Sequence, residues 1–249
     1  MTEQVVLGVG RYGLCAGCTY AESHLNSGRC KPGDSCVRAH SGRQIDRFFR
    51  ANKDQAEHFL ADLFWERRAI AARYAPIALI GHMVSDNDEI VRRVVVDRIP
   101  ADCLIKMVSD PDREVRLGVV ARIPEEHLHR LLHDPDYLIR ATVARRLPHG
   151  QLAKMAKDSE REVRKVVASR LPPFALDMLL ADPEPEVRAI VAERALPGLA
   201  ASLLSDTEWW VRLAAVGNAP LELLQPLTDD PEIEVREAAL ARLAEENAH

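Results

Sequence analysis

The sequence predicts an all-α solenoid of 24-residue helical repeats, preceded by a small cysteine-rich module. Three observations predict it. An aspartate recurs every 24 residues, an arginine follows six residues after each of these aspartates, and four of the five cysteines lie within the first 36 residues. Repeats of this kind cannot bury their apolar stripes alone, so stacked copies form a continuous core in which each repeat touches only its neighbours.

The repeat unit reads D-P-x-x-x-V-R-x-x-V-A-x-R-L-P-x-x-x-L-x-x-L-L-x. Its apolar positions, as at Val115, Val119 and Val120, have helical spacing and predict an α-helix of about 12 residues. The Asp-Pro pair predicts the start of that helix and the later proline its end. The leucines that follow predict a second, shorter helical or 3₁₀ segment. Seven full copies run from about Trp65 to Glu232, and a partial copy caps the chain.

The recurring aspartates and arginines predict a structural ladder between repeats. A guanidinium satisfies several acceptors at once, so each arginine is expected to bond an aspartate or a free carbonyl of an adjacent repeat. The alternative is a basic row that grips an anionic partner. The ladder residues are Asp86, Asp110, Asp134, Asp158, Asp182, Asp206 and Asp230, with Arg92, Arg116, Arg140, Arg164, Arg188, Arg212 and Arg236.

A second arginine series has the same period but lies well round the helix from the first. It is therefore the better candidate for a surface contact. Asn218 takes the place of one arginine in this series. Its members are Arg98, Arg122, Arg146, Arg170, Arg194 and Arg242.

Cys15, Cys18, Cys30 and Cys36 have the spacing C-x2-C-x11-C-x5-C, which predicts a metal centre. Two thiolates of a C-x2-C turn converge on one metal, and a segment with so little core gains folding energy from the metal. Four cysteines suit zinc and iron–sulfur clusters alike, and the chemistry leaves both open. His24 and His40 are nearby alternative zinc ligands, but four cysteines already complete a site, so both histidines are expected to be ordinary loop residues. Cys103 lies in the repeats and is expected to pack, not to bind metal.

These patterns divide the chain into a cysteine-rich module at 1–43, a helical cap or connector at 44–64 and the repeats at 65–249. Charges interrupt every apolar stretch, so no membrane helix is expected, and the first residues do not resemble a secretory signal. A cytoplasmic protein is expected. The net charge of −5 is concentrated in the repeats, which makes them a poor default binder of phosphate backbones. No grouping of catalytic residues is evident, and no enzyme is predicted.

The repeat motif together with the cysteine spacing resembles the leucine-rich repeat variant family over essentially the whole chain. The resemblance implies α-helices alternating with 3₁₀ helices in a right-handed superhelix. It also implies a [4Fe–4S] cluster held by Cys15, Cys18, Cys30 and Cys36, with zinc as the alternative metal. Asn218 and the displaced Pro197 depart from the pattern without touching the cysteines.

Three functions are compatible with these features. The first is a protein-interaction scaffold whose cluster is structural or senses redox state or oxygen. The second is electron transfer to a partner docked on the solenoid. The third is nucleic-acid binding through the arginine rows, which the acidic repeats make the less favoured partner class.

Overall fold

A computed structural model describes residues 13–246 of the chain. Contacts divide the chain into two compact units, Met1–Pro124 and Glu125–His249. Within the described residues there is no strand, only an isolated bridge between Lys31 and Ser35. Residues 1–12, where no secretory signal is expected, and residues 247–249, the end of the predicted cap, lie outside the described residues.

Each repeat contributes one α-helix of ten residues, slightly shorter than the sequence predicted, and these helices begin 24 residues apart. The first unit contains Gly42–Ala51, which precedes the repeats, and then Trp65–Tyr74, Glu89–Arg98 and Arg113–Arg122. The second unit contains Tyr137–Arg146, Arg161–Arg170, Pro185–Arg194, Trp209–Asn218 and the longer final helix Ile233–Glu246. Within each unit, every one of these helices packs against the next.

The chain between these helices forms short segments, mostly 3₁₀ helices. Short α-helical turns are Ile77–Ile80, His149–Leu152 and Pro197–Ala201. The 3₁₀ segments of the repeats are Gly81–Ser85, Ala101–Met107, Glu125–Leu131, Ala153–Met155, Pro173–Leu179, Leu221–Leu223 and Gln225–Asp229. Before the repeats come the 3₁₀ turns Gly13–Cys15 and Lys53–Phe59 and a π-helical turn, Ala21–Leu25.

The prediction that Asp-Pro starts each helix is wrong by two residues. In the helix Arg113–Arg122 the cap is Asp112, whose carboxylate accepts from the N–H of Val115 at 3.0 Å. Asp110 instead accepts from the N–H of Asp112 at 2.9 Å, so its side chain shapes the turn that leads into the helix. The recurring acid at the position of Asp112 is the cap where it is aspartate; the glutamates there make no side-chain cap bond.

The core repeats with the helices. In the repeat at 89–112, Val91, Val95 and Val96 are buried on the long helix, and Leu104 and Met107 are buried on the short segment. The same positions are buried and apolar in the next copies. Because the two stripes of one repeat are covered by its neighbours, stability is shared along the stack, as in other repeat proteins.

Gly118 marks a close approach of two helices within the first unit. A Cβ added there would lie 2.6 Å from Cγ1 of Val96, whose branched side chain has little freedom to move. Gly118→Ala is therefore expected to lower the free energy of unfolding by roughly 1–2 kcal/mol, because overpacking outweighs the gain in helix propensity. Urea denaturation followed by circular dichroism measures the change.

Gly217→Ala is the matched control, since Gly217 is also helical but a Cβ there meets nothing within 4 Å. It is expected to stabilise the protein by about 0.5–1 kcal/mol. Equal effects at the two glycines would contradict the packing explanation.

Candidate metal centre and arginine rows

Cys15 and Cys18 lie on one tight turn. The N–H of Cys18 donates to the carbonyl of Cys15 at 3.1 Å, and Gly17 between them adopts the left-handed conformation with φ of 66°. Both cysteines are half-buried. The C-x2-C spacing thus produces a compact turn that carries two thiols next to solvent.

Cys30 and Cys36 are buried and flank a small hairpin. Lys31 and Ser35 exchange two backbone hydrogen bonds of 2.8 Å, and Gly33 turns the chain with φ of 80°. This turn accounts for the five residues between the two cysteines, because it brings their positions to the two ends of one hairpin.

Further hydrogen bonds hold the two cysteine pairs in one module. Arg38 donates to the carbonyl of Ala16 at 2.8 Å, which ties the C-x2-C turn to the segment after Cys36. The N–H of Cys36 donates to the carbonyl of Gln44, and the fully buried Asn52 donates to the carbonyl of Arg29 at 2.8 Å. The module therefore rests on the helix Gly42–Ala51, across the sequence-predicted boundary between module and connector.

The four thiols lie near enough to affect one another's ionisation. Burial, followed by Cys36, Cys15 and Cys18, raises the pKa of Cys30 to about 11. Burial and the neighbouring Cys36 and Cys18 also raise the pKa of Cys15, which Arg38 only partly opposes. Four closely placed thiols are stable as thiolates only with added positive charge, which a metal centre supplies. All four are free of disulfide bonds, so this donor set fits an iron–sulfur cluster.

His24, His40 and Cys103 differ in burial. His40 is exposed. His24 is buried in a π-helical turn, so the prediction of an ordinary loop residue is wrong. Cys103 is exposed, which corrects its predicted packing role. Within residues 13–246, no three His, Cys, Asp or Glu side chains surround a single metal-ion position. A four-iron cluster does not need such a position, because its four cysteines bind different irons.

The first arginine row links consecutive aspartates of the ladder. Arg92 donates from Nε and Nη2 to both carboxylate oxygens of Asp110, at 2.7 and 2.9 Å, and from Nη1 to the carbonyl of Asp86 at 2.8 Å. The side chains of Arg92 and Asp110 are 10% and 5% exposed. The same bidentate pairing joins Arg68 to Asp86, Arg140 to Asp158, Arg164 to Asp182, Arg188 to Asp206 and Arg212 to Asp230.

The second arginine row is also structural, and its predicted surface role is wrong. Arg170 donates to the carbonyls of Ala144 and Leu147 at 2.7 and 2.8 Å, where the helix of the preceding repeat ends. These carbonyls lack partners within their own helix, and a cation also suits the negative end of the helix dipole. The same bonds, 26 and 23 residues back along the chain, are made by Arg98, Arg122, Arg194 and Arg242.

Asn218 supplies a shorter version of this contact. Its Nδ2 reaches the carbonyl of Ala192 at 3.0 Å and that of Glu193, but it carries no charge. Asn218→Arg is therefore expected to raise the free energy of unfolding by about 1 kcal/mol. The opposite substitution at the equivalent position one repeat earlier, Arg194→Asn, is expected to lower it by a similar amount. Urea midpoints of the two variants measure this, and a destabilised Asn218→Arg would show that the site rejects the longer side chain.

Paired aspartates of the repeats, both in the ladder and beside it, make stability depend on acid. The hydrogen bonds from Arg93 lower the pKa of Asp112 to about 2. Burial tends to raise the pKa of Asp158, but the bonds from Arg140 and the N–H of Glu160 outweigh it and leave the pKa below its usual value. A carboxyl with a depressed folded-state pKa stabilises the protein fully above its unfolded pKa of about 3.9, and the stabilisation is lost as the pH falls toward the folded value.

We therefore expect a stability plateau from pH 8 to about pH 5 and a decline between about pH 4.5 and 2. Urea unfolding followed by tryptophan fluorescence, from Trp65, Trp209 and Trp210, reports this for the repeats. Arg93→Met should make the decline shallower, because Asp112 then titrates nearer its unfolded value. An unchanged decline in that variant would assign the acid sensitivity to other groups.

The fold and the cysteine set define an all-α repeat protein with an N-terminal module suited to an iron–sulfur cluster. A family profile described as "LRV protein FeS4 cluster" matches residues 9–58. The profile "Leucine rich repeat variant" matches residues 113–136 and 161–184, in the register of the helices described above.

A solved structure, described as a leucine-rich repeat variant with a novel repetitive protein structural motif, is 50% identical to this chain. The match covers 92% of this chain and 98% of that one, with a TM-score of 0.84. The chain belongs to the leucine-rich repeat variant family, and its predicted fold class is confirmed. An uncharacterized 27.7 kDa protein in the nifB 3' region of Rhodobacter capsulatus is 37% identical over 87 residues, a match that spans 35% of each protein.

Proposed function

We propose that this protein is an iron–sulfur scaffold. A [4Fe–4S] cluster on Cys15, Cys18, Cys30 and Cys36 stabilises the N-terminal module and makes it responsive to redox state or oxygen, and the repeats dock a protein partner. When bound, such a cluster supplies reversible one-electron chemistry. The family of the cysteine module and the fit of its four free thiols support the cluster.

The arginines of both rows bond to groups of the chain itself, and this observation favours a protein partner over nucleic acid. A nucleic-acid backbone is gripped by arginines and lysines that are free to contact phosphates. Here the arginines of the first row hold buried carboxylates, and those of the second row hold carbonyls of the preceding repeat. With a net charge of −6 on residues 65–249, the repeats favour protein over nucleic acid.

Apolar side chains exposed on the short segments of the second unit support protein docking. Phe174 is 76% exposed, and Met178 lies on the same segment at 42%. Leu196 and Leu223 are exposed on the following two repeats. Contiguous exposed apolar patches mark protein contact sites, whereas single exposed apolar residues are normal, so Phe174 and Met178, which share one short segment, are the candidates for such a patch.

The partner class can be tested with the anaerobically purified protein as bait for chemical crosslinking. Proteins captured by the wild type should be lost with the double variant Phe174→Ser/Met178→Ser and retained with Lys154→Ser, which alters the position equivalent to Met178 one repeat earlier. Gel shifts with duplex DNA and RNA at low salt provide the competing outcome. Tight, salt-dependent binding of either nucleic acid, with no capture that depends on Phe174, would overturn the proposal.

Electron transfer is the second candidate. It is favoured by the exposure of the C-x2-C turn, since Cys15 and Cys18 are half-buried while Cys30 and Cys36 are buried, which leaves one edge of the site near solvent. Reversible reduction and reoxidation without change in helical circular dichroism supports electron transfer. Loss of structure on oxidation supports a structural or sensing role. Stoichiometric zinc without acid-labile sulfide would exclude an iron–sulfur cluster, and with it both the electron-transfer role and the structural or sensing role of that cluster.

A further inference from the structure

His24 is buried inside the cysteine module. It is 8% exposed and lies on the single π-helical turn of the described chain, Ala21–Leu25. Tyr20 meets its ring edge-on with the centroids 4.8 Å apart, and Phe48 stacks on it at 6.1 Å. π-helical turns are rare and frequently occur at functional sites. A polar ring enclosed by two aromatic residues therefore requires an explanation.

The backbone of His24 positions one of the four cysteines. Its carbonyl accepts the N–H of Cys30 at 3.1 Å, which places the residue directly beside a buried member of the thiol set. Tyr20, against which the ring packs, lies in the turn that follows Cys18, where the N–H of Ala21 donates to the carbonyl of Cys18 at 3.1 Å. His24 and its aromatic neighbours thus adjoin the cysteine site at two separate points.

The two ring nitrogens of His24 differ in their contacts. Nδ1 lies 2.7 Å from Oγ of Ser23, whose hydroxyl is able to donate to it. That arrangement leaves the ring proton on Nε2, which is buried and has no hydrogen-bond partner. A buried donor without an acceptor costs about 1–3 kcal/mol. Asn52 Oδ1 is also buried without a partner, but the two atoms do not bond to each other.

We propose that Nε2 of His24 donates a hydrogen bond to a sulfur atom of the bound cluster and thereby raises its reduction potential. The proposal rests on the cluster of the proposed function. Inorganic sulfides and cysteine sulfurs are the acceptors that the cluster adds to this module, and hydrogen bonds to them tune the potential. The bond stabilises the reduced state more, because reduction increases the negative charge on the sulfurs.

The test compares wild type, His24→Phe and His24→Gln, purified anaerobically, by iron and sulfide content and by spectroelectrochemical titration. His24→Phe preserves the ring volume without the donor, so its potential should be more negative than that of wild type. His24→Gln restores an N–H donor and should recover part of the difference. His40→Phe is the control, because His40 lies in the same module but is exposed, and its potential should equal that of wild type.

The outcomes separate the two proposals. A wild type without iron and sulfide defeats the proposed function itself. A His24→Phe variant with full iron content and the wild-type potential overturns the inference, whatever its stability. If that variant fails to hold iron, electron–nuclear double resonance of reduced wild type carrying ¹⁵N-histidine decides. A ¹⁵N coupling that disappears in His24→Gln supports the bond, and its absence from wild type refutes it.

Discussion

Cys30→Ala is expected to abolish cluster binding and to unfold the segment that carries the cysteines. Cys30 is buried, and its segment has little regular structure beyond short turns and the Lys31–Ser35 bridge. For small structural metal sites the binding free energy is folding free energy, on the order of 10 kcal/mol for zinc-finger peptides. The loss of one ligand from this centre should therefore exceed the effect of any single core substitution.

The unfolding should stop at the helix Gly42–Ala51. Phe49 is fully buried on this helix and packs edge-on against Phe59, which lies outside the cysteine segment, with the centroids 5.3 Å apart. These contacts do not need the metal. Hydrogen exchange should therefore show lost protection from residue 13 to about residue 40 and retained protection from residue 42 onward.

Iron and acid-labile sulfide analysis, together with hydrogen exchange, measures the outcome. Cys103→Ser is the matched control, because Cys103 is exposed in the repeats and should leave about four iron and four sulfide per chain unchanged. A Cys30→Ala variant that retains full iron would mean that the cluster does not depend on this ligand.

Much of the repeat was predictable because its signals are local. The 24-residue period, the helix spacing of Val115, Val119 and Val120, and the closing prolines depend on nearby residues alone. The true cap was missed because an aspartate two residues before a cap is equally able to accept a backbone N–H. Sequence alone does not decide whether Asp110 or Asp112 caps the helix. The carboxylate of Asp110 is bound by Arg92, and only the folded chain shows this contact.

The second arginine row and His24 were misjudged for a different reason. Arg170 lies well round the helix from the first row, and only the stacking of repeats shows that it meets the carbonyls of Ala144 and Leu147. His24 is followed by small and polar residues typical of a loop, but Tyr20 and Phe48 enclose it in the folded chain. The contacts of Arg170 and the stacking of Phe48 on His24 join segments distant in sequence, which composition and spacing do not encode.

Arg164→Met is expected to destabilise the repeats strongly. Arg164 makes four hydrogen bonds: two to Asp182, at 2.7 and 2.9 Å, and two to the carbonyls of Asp158 and Ser159, at 2.8 and 3.2 Å. The side chains of Arg164 and Asp182 are 9% and 3% exposed. Removing one partner of a buried pair leaves an uncompensated charge, so we expect a loss of about 3–5 kcal/mol in the free energy of unfolding.

Arg161→Met is the control on the same helix. Arg161 is half-exposed, and its nearest carboxylate oxygens lie 3.6–3.7 Å away on Glu162, Glu184 and Glu186. An exposed pair of this kind contributes about 0–1 kcal/mol. Urea unfolding followed by tryptophan fluorescence, from Trp65, Trp209 and Trp210, compares the two variants. A difference of less than about 1 kcal/mol between them would contradict a structural ladder.

Arg164→Lys separates the charge of the ladder from its geometry. Lysine preserves the positive charge, but its single ammonium cannot meet both oxygens of Asp182 and the carbonyl of Asp158 in the fixed fork that a guanidinium provides. It should therefore recover only part of the stability lost in Arg164→Met. Full recovery would show that charge alone holds the repeats together, and then the recurrence of arginine at every copy would need a cause outside the stack.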